Sequence, residues 1–355
     1  MRWFSVLALA GCVHTLDEHE SRVGDIERDC VIPIPEGVVA LGAPVSIEYP
    51  DASIWIWESL AMTDGSVVAN AAARVARSRD ACAEPPAFAL DPARSLATPR
   101  SILALSPEEL ADNAARADGR RLALVPTGGF ASGGLAYLYY DHVLRGPGFF
   151  DEERLGSGLC VLDPESANGC DRVASSVIDG STILWRPDQR VMNRGGLVVG
   201  DRALIAGCRK VGSFDEPCTI TGVPLVDVRD PLAYRVWDAF AGWVDPLTDA
   251  SELTNTIGSL TIAPFDDGTF VATQLELFDN EVVVQVSTRP EQSYGHRIHA
   301  FDVLPPAEGT WFVSGGREHA ALRADARSIV VSYATDNPAA PGLHLVDFRF
   351  FEVPE

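Results

Sequence analysis

Lysine is almost missing from this chain. Lys210 is the single one among 28 basic residues, which face 50 acidic residues for a formal net charge of −22. Nucleic-acid binding rests on a basic footprint, so nucleic acid is excluded as a partner. Docking on anionic head groups is disfavoured for the same reason. The preference for arginine over lysine reads as a base-composition bias of the genome, and the acidic excess as a solvated surface. Several chemical signatures are also missing. No G-x-S-x-G occurs, and GFASGG and VSGG lack that frame. No phosphate-binding glycine loop precedes a helix. No C-x-x-C occurs, and the paired cysteines have no histidine close by in sequence. Neither a cofactor nor a metal centre is therefore expected. Helical periodicity is scarce, and the leading apolar run, Trp3 to Ala10, is too short to span a bilayer, which needs roughly 20 residues.

What is there begins with MRWFSVLALAGC. One positive side chain, a short apolar run and small residues before a cleavage point mark a secretory signal peptide. The cysteine directly after Leu9-Ala10-Gly11 resembles a bacterial lipobox, so Cys12 is expected to carry lipid. Residues 1–11 are then the signal peptide and 12–29 an acidic tether. The body, 30–355, is expected at the outer membrane or cell surface, held by the lipid alone. Val13 is not the Asp of an inner-membrane retention signal.

Six further cysteines suit an oxidising compartment, and six allow 15 connectivities. Cys160 and Cys170 have nine residues between them, and so do Cys208 and Cys218. That interval allows two short strands and a loop, and DPESAN and FDEP are turn-rich. Each pair is therefore expected to staple a hairpin. Cys30 and Cys82 pair by elimination.

Most of the body alternates apolar and polar residues in short runs punctuated by Gly, Pro, Asn and Asp. SIWIWESLAM, RLALVPTGGF, LAYLYYDHVL, GLVVGDRALIAGC, EVVVQVST and SIVVSYATD are examples. SPEELADNAARADGRR is the one convincing helix, with Ser106 as N-cap, Pro107 at the first position and Glu109 placed for a capping box. DPLAYRVWDAF is a second, short helical candidate. Strand groups begin near Ala52, Arg121, Ser181, Thr256 and His319, at intervals of about 60 residues, the size of a blade with long loops. The expected fold is all-β, a monomeric five-bladed β-propeller with a short rim helix. Val38 to Tyr49 is expected to close the last blade. A two-domain β protein is the alternative.

Several of these stretches, taken in order, resemble an exported bacterial family without an assigned function. That family looks like the five-bladed propellers of family 43 glycosidases. The resemblance runs through SIWIWESLAMTDGSVVANAAARV, RLALVPTGGFASGGLAYLYYDHV, GLVVGDRALIAGC with TITGVPLVDVRDPLAYRVWDA, and REHAALRADARSIVVSYATD. It implies a ligand at the mouth of a central cavity. It also shows a departure: Glu58-Ser59-Leu60 stands where the family has Gly-Asp-Thr, so Ser59 takes the place of an expected carboxylate. His319 is followed by Ala320 where the family often has Pro.

Glycoside hydrolysis needs two carboxylates roughly 5 to 9 Å apart. Candidates at strand ends or loops are Glu58, Asp64, Asp141 and Glu291, with Glu58, Asp141 and Glu291 the catalytic set if activity is kept. Candidate ligand contacts are Trp55, Trp57, Tyr139, His142 and His319, since aromatic faces stack on sugar rings. The bland alternative is that these aromatics fill spaces between blades. His296 and His299 point opposite ways on a strand and are not expected to share a metal. The functional expectation is a carbohydrate-binding module on a glycosidase-like propeller that has lost an acid. An active glycosidase and a protein-interaction propeller are the alternatives.

Overall fold

The computed structural model describes residues 20–86, 101–146, 151–164, 169–176, 180–187, 194–208, 217–245, 252–255, 259–265, 268–276, 279–306 and 313–353. The signal peptide, Cys12 and Lys210 lie outside them. Among the described residues no helix is long and apolar enough to cross a membrane.

Five antiparallel sheets form five blades. Blade I holds β2 (Val45–Glu48), β3 (Ala52–Ala61) and β4 (Val67–Ala76). Blade II holds β5 (Arg121–Ser132), β6 (Leu135–Arg145), β7 (Glu152–Leu162) and β8 (Asp171–Arg172). Blade III holds β9 (Gly196–Val199), β10 (Arg202–Cys208), β11 (Pro217–Pro224), β12 (Arg235–Asp238) and β13 (Gly242–Val244), with β14 (Thr254–Asn255) beside β11. Blade IV holds β15 (Leu260–Pro264), β16 (Phe270–Glu276), β17 (Glu281–Ser287) and β18 (Ile298–Asp302). Blade V holds β19 (Ser314–Glu318), β20 (Ser328–Thr335), β21 (Gly342–Val353) and, at its outer edge, β1 (Glu20–Val31).

The first strands of the blades, β2, β5, β9, β15 and β19, each touch the next, and β19 returns to β2. They form the ring around the central axis. Each gap between blades holds one apolar cluster, so every blade is buried on both faces. Side chains alternate across a strand. Thus Trp55 and Trp57 on β3 face blade V, meeting Leu343 and Leu345. Ile54 and Ile56 face blade II, meeting Leu124, Leu138 and Tyr140. Period-two burial on both faces is why the strands read as nearly continuous apolar runs.

The closing strand differs from expectation. Val45–Glu48 is the innermost strand of blade I, and β1 closes blade V by pairing with β21 from Glu20↔Val353 to Val31↔His344. The acidic segment is therefore not a tether beyond Glu20. Its pattern is broken by register shifts between Val23 and Ile26 and between Ile26 and Arg28, which erase period two. An outermost strand also tolerates the charges that disguise it. Blade III begins at Gly196, not near Ser181, and blade V at Ser314.

The three disulfides are those expected: Cys30–Cys82, Cys160–Cys170 and Cys208–Cys218. Cys208 lies directly opposite Cys218 in the β10–β11 hairpin. Cys170 precedes β8 and ties it to β7. Cys30–Cys82 joins β1 to the segment after β4, and so fastens blade V to blade I. The rim helix α1 (Pro107–Ala115) has its capping box: Glu109 N–H donates to Ser106 Oγ at 3.2 Å, and Ser106 N–H to Glu109 Oε2 at 2.7 Å. The second helical candidate is a single 3-10 turn, Pro231–Ala233, followed by β12.

Candidate functional site

The structure separates the three expected acids. Glu58 lies in the second half of β3, a second strand rather than an innermost one, and pairs with Arg145 of β6; Arg145 also holds Glu152 at 2.7 Å. Ser59 is exposed on the same strand, off the axis. Glu291 follows β17 and pairs with Arg289, whose guanidinium lies 5.4 Å over the Trp237 ring of blade III's outer strands. Asp64 accepts from Ser66 N–H at 2.9 Å in the β3–β4 turn. Asp141 lies in mid-β6, likewise a second strand, and pairs with Arg154 of β7.

The five expected ligand contacts are all buried. Trp55, Tyr139 and His319 are 0% exposed, Trp57 1% and His142 3%. Trp57 Nε1 donates to Gly42 O at 2.8 Å, and the Tyr139 and Tyr234 hydroxyls lie 3.0 Å apart. These side chains fill the gaps between blades and do not form an open aromatic floor. His319 and Ser332 are 2.7 Å apart (Nε2 to Oγ), and His319 Nδ1 lies 3.6 Å from Glu48 Oε1. The row has the order of a hydrolase triad, but Ser332 is 0% exposed, so no substrate reaches it. It ties blade V to blade I. His142 lies under α1, 3.9 Å from Glu109, which pairs with Arg172 at 2.6 Å. Burial and the Arg172 charge push His142 down to about 4.

Residues not singled out by sequence stand at the axis. Arg317 of β19 reaches across the ring and donates to Thr127 O on β5 at 3.4 Å, joining blades V and II, which are not neighbours. Arg194, which leads into β9, is close enough to act on it electrostatically. Burial and Arg194 together push Arg317 down to about 9. Arg194 also acts on Asp141, whose carboxylate accepts from Arg154 Nη2 at 2.7 Å and from Ser157 Oγ. Burial raises the Asp141 carboxyl in spite of these partners.

Two irregularities aim this cluster. Strand β5 shifts register at Thr127 and β19 at Gly316. Bulges on strands often redirect side chains beside functional sites. Gly316 holds φ +71°, and a Cβ on it would meet Leu275 Cβ at 2.3 Å. A Cβ on Gly128 would lie 2.0 Å from the Arg194 carbonyl oxygen. The available signal was the recurrence of Gly-Gly in PTGGF, NRGGL and VSGGR, each at an innermost strand.

Among the described residues the innermost strands carry two carboxylates, Glu48 and Glu318, and both are already engaged. Glu48 accepts from Ser53 Oγ at 2.7 Å and from Ala321 N–H at 2.9 Å. Glu318 is 0% exposed and is gripped by Arg323, with Nε at 2.8 Å. At the axis Arg317 is a donor that the described residues show. Among the described residues the axis does not present two free carboxylates across a bond.

No protein-family model matches the chain, and no curated protein does. Solved structures of similar fold do exist. A proposed hydrolase from Bacteroides ovatus is 12% identical over 91% of this chain and 87% of its own, with a TM-score of 0.56. The endo-arabinase from Bacteroides thetaiotaomicron is 12% identical over 91% and 98%, with a TM-score of 0.42. The GH43_1 enzyme from Xanthomonas citri in complex with xylotriose is 9% identical over 90% and 91%, with a TM-score of 0.46. The structural neighbours are five-bladed propellers of family 43 glycosidases, and at this identity the likeness speaks for the fold alone.

Proposed function

We propose that the chain is a lipid-anchored, extracytoplasmic propeller that binds carbohydrate at its axis without hydrolysing it. The observation that carries the second half is the axial set itself. Among the described residues Glu48 and Glu318, the carboxylates of the innermost strands, are both tied to the scaffold, which supports a reading without hydrolysis. The carbohydrate half is supported by the ordered sequence words shared with a glycosidase-like family. Similar folds that act on or hold glycans, such as the xylotriose complex, are in keeping with it. Fold alone does not decide function.

The test is a panel of polysaccharides offered to residues 13–355, which keep the whole of β1, with retention and release of reducing ends read from the same wells. Retention without release is expected. Retention with release would make the protein a glycosidase, and Asp141, the buried candidate acid, the first residue to replace. Neither retention nor release would point to a protein-binding propeller. The anchor is tested separately: Cys12→Ala is expected to move the protein from the membrane to the soluble fraction, and unchanged fractionation contradicts the lipid.

A further inference from the structure

Away from the axis, one group of side chains has the donors of a metal site. It lies on the outer strands of blade IV, where Glu281 of β17 stands directly opposite Asp302 of β18. On its other side Glu281 stands directly opposite Glu276 of β16. Three acids therefore form a row across three strands, and like charges that face each other in a sheet are destabilising. Asp279 and Glu281 both act on Glu276 electrostatically, against Arg297, which holds it at 2.7 Å. A row of this kind is kept at a cost to the fold, as functional groups often are.

His299 completes the group. Its Nε2 lies 3.0 Å from Asp302 Oδ1 and 3.7 Å from Glu281 Oε2, and the three ligand atoms are all within 4.8 Å of one another. Residues three apart on a regular strand face opposite ways. Here the register shifts: Phe301 pairs with Val282 and His299 with Val283, which leaves Ala300 as the extra residue. This bulge turns His299 and Asp302 to one side, while Val282 and Phe301 point into the interblade core. Donor atoms around a four-coordinate zinc lie about 3.4 Å apart, given bonds of about 2.0–2.2 Å. The two distances from His299 bracket that value. The side chains of His299 and Asp302 are 53% and 83% exposed, so an ion can enter and keep a water as its fourth ligand. One imidazole with two carboxylates suits zinc, whereas calcium and magnesium take oxygen donors.

We propose that Glu281, His299 and Asp302 bind a zinc ion at the outer edge of blade IV, bridging β17 and β18. The ion relieves the facing Glu281–Asp302 pair and leaves one coordination position to water. The site is separate from the axis and does not depend on the carbohydrate reading.

The experiment is titration calorimetry of the purified protein with zinc chloride, in a His14→Gln, His19→Gln background so that the N-terminal imidazoles contribute nothing. One zinc per chain is expected, bound at least tenfold more tightly than calcium or magnesium. His299→Gln and Asp302→Asn are each expected to weaken it by tenfold or more. Zinc is expected to raise the melting temperature of the parent, and that of the His299→Gln variant less. Both side chains are exposed, so their replacement leaves the core intact. No heat with zinc up to millimolar concentration would overturn the proposal. Zinc binding that survives His299→Gln would overturn it too, by placing the ion elsewhere. Calcium bound as tightly as zinc would reduce the site to a patch of negative charge and so refute the coordination by His299.

Discussion

His142 sits 3% exposed between Tyr140, Glu109 and Thr182, and its folded-state value of about 4 lies below the ordinary 6.5. The unfolded chain therefore takes up a proton on this residue as pH falls through 6.5, while the folded chain stays neutral until near 4. The stability it contributes is present at neutral pH and is lost between those limits, by about 2 kcal/mol at pH 4.5. His142→Gln should narrow the difference in urea midpoint between pH 7 and pH 4.5; an unchanged difference would show that the imidazole is not held neutral. Raised carboxyls such as Asp141 and Asp347 act in the opposite direction, so only the comparison of variant with parent isolates His142. Trp55 and Trp57 teach a related lesson. Their shared strand face was visible in sequence, but a face turned to sugar and a face turned to the next blade have the same period. Sequence shows that two side chains lie together, not what covers them. Arg317 and Thr127 were illegible for a different reason, since each is aimed by a bulge that no periodicity announces.

At the scale of elements, local chemistry was legible and long-range closure was not. The capping box of α1 and the Cys208–Cys218 hairpin follow from spacings of a few residues, and the structure reproduces both. Strand β1 pairs with β21 at the far end of the chain, through two register shifts and under a charged pattern. The disulfides give the closure a measurable weight. Cys30–Cys82 spans 52 residues and the other two span 10 each. By loop-closure entropy the long one contributes about 4 kcal/mol and each short one about 3. Replacing Cys30 and Cys82 with Ser should therefore lower the melting temperature more than replacing Cys208 and Cys218. An equal or smaller loss would mean that the Cys30–Cys82 staple does not carry the seam between blades V and I.

For the whole molecule, five interblade clusters make a ring, and the ring brings five innermost strands to one axis. The chain is strongly acidic, with a formal net charge of −22. The central claim is that this axis holds a glycan and leaves it intact. The most direct measurement is to incubate the tightest-binding oligosaccharide from the panel with an equimolar amount of protein for days. The recovered sugar is then weighed by mass spectrometry. The account predicts full recovery at the starting mass. Shortened products that vanish with Asp141→Asn would contradict it, and would make the axis a working glycosidase site.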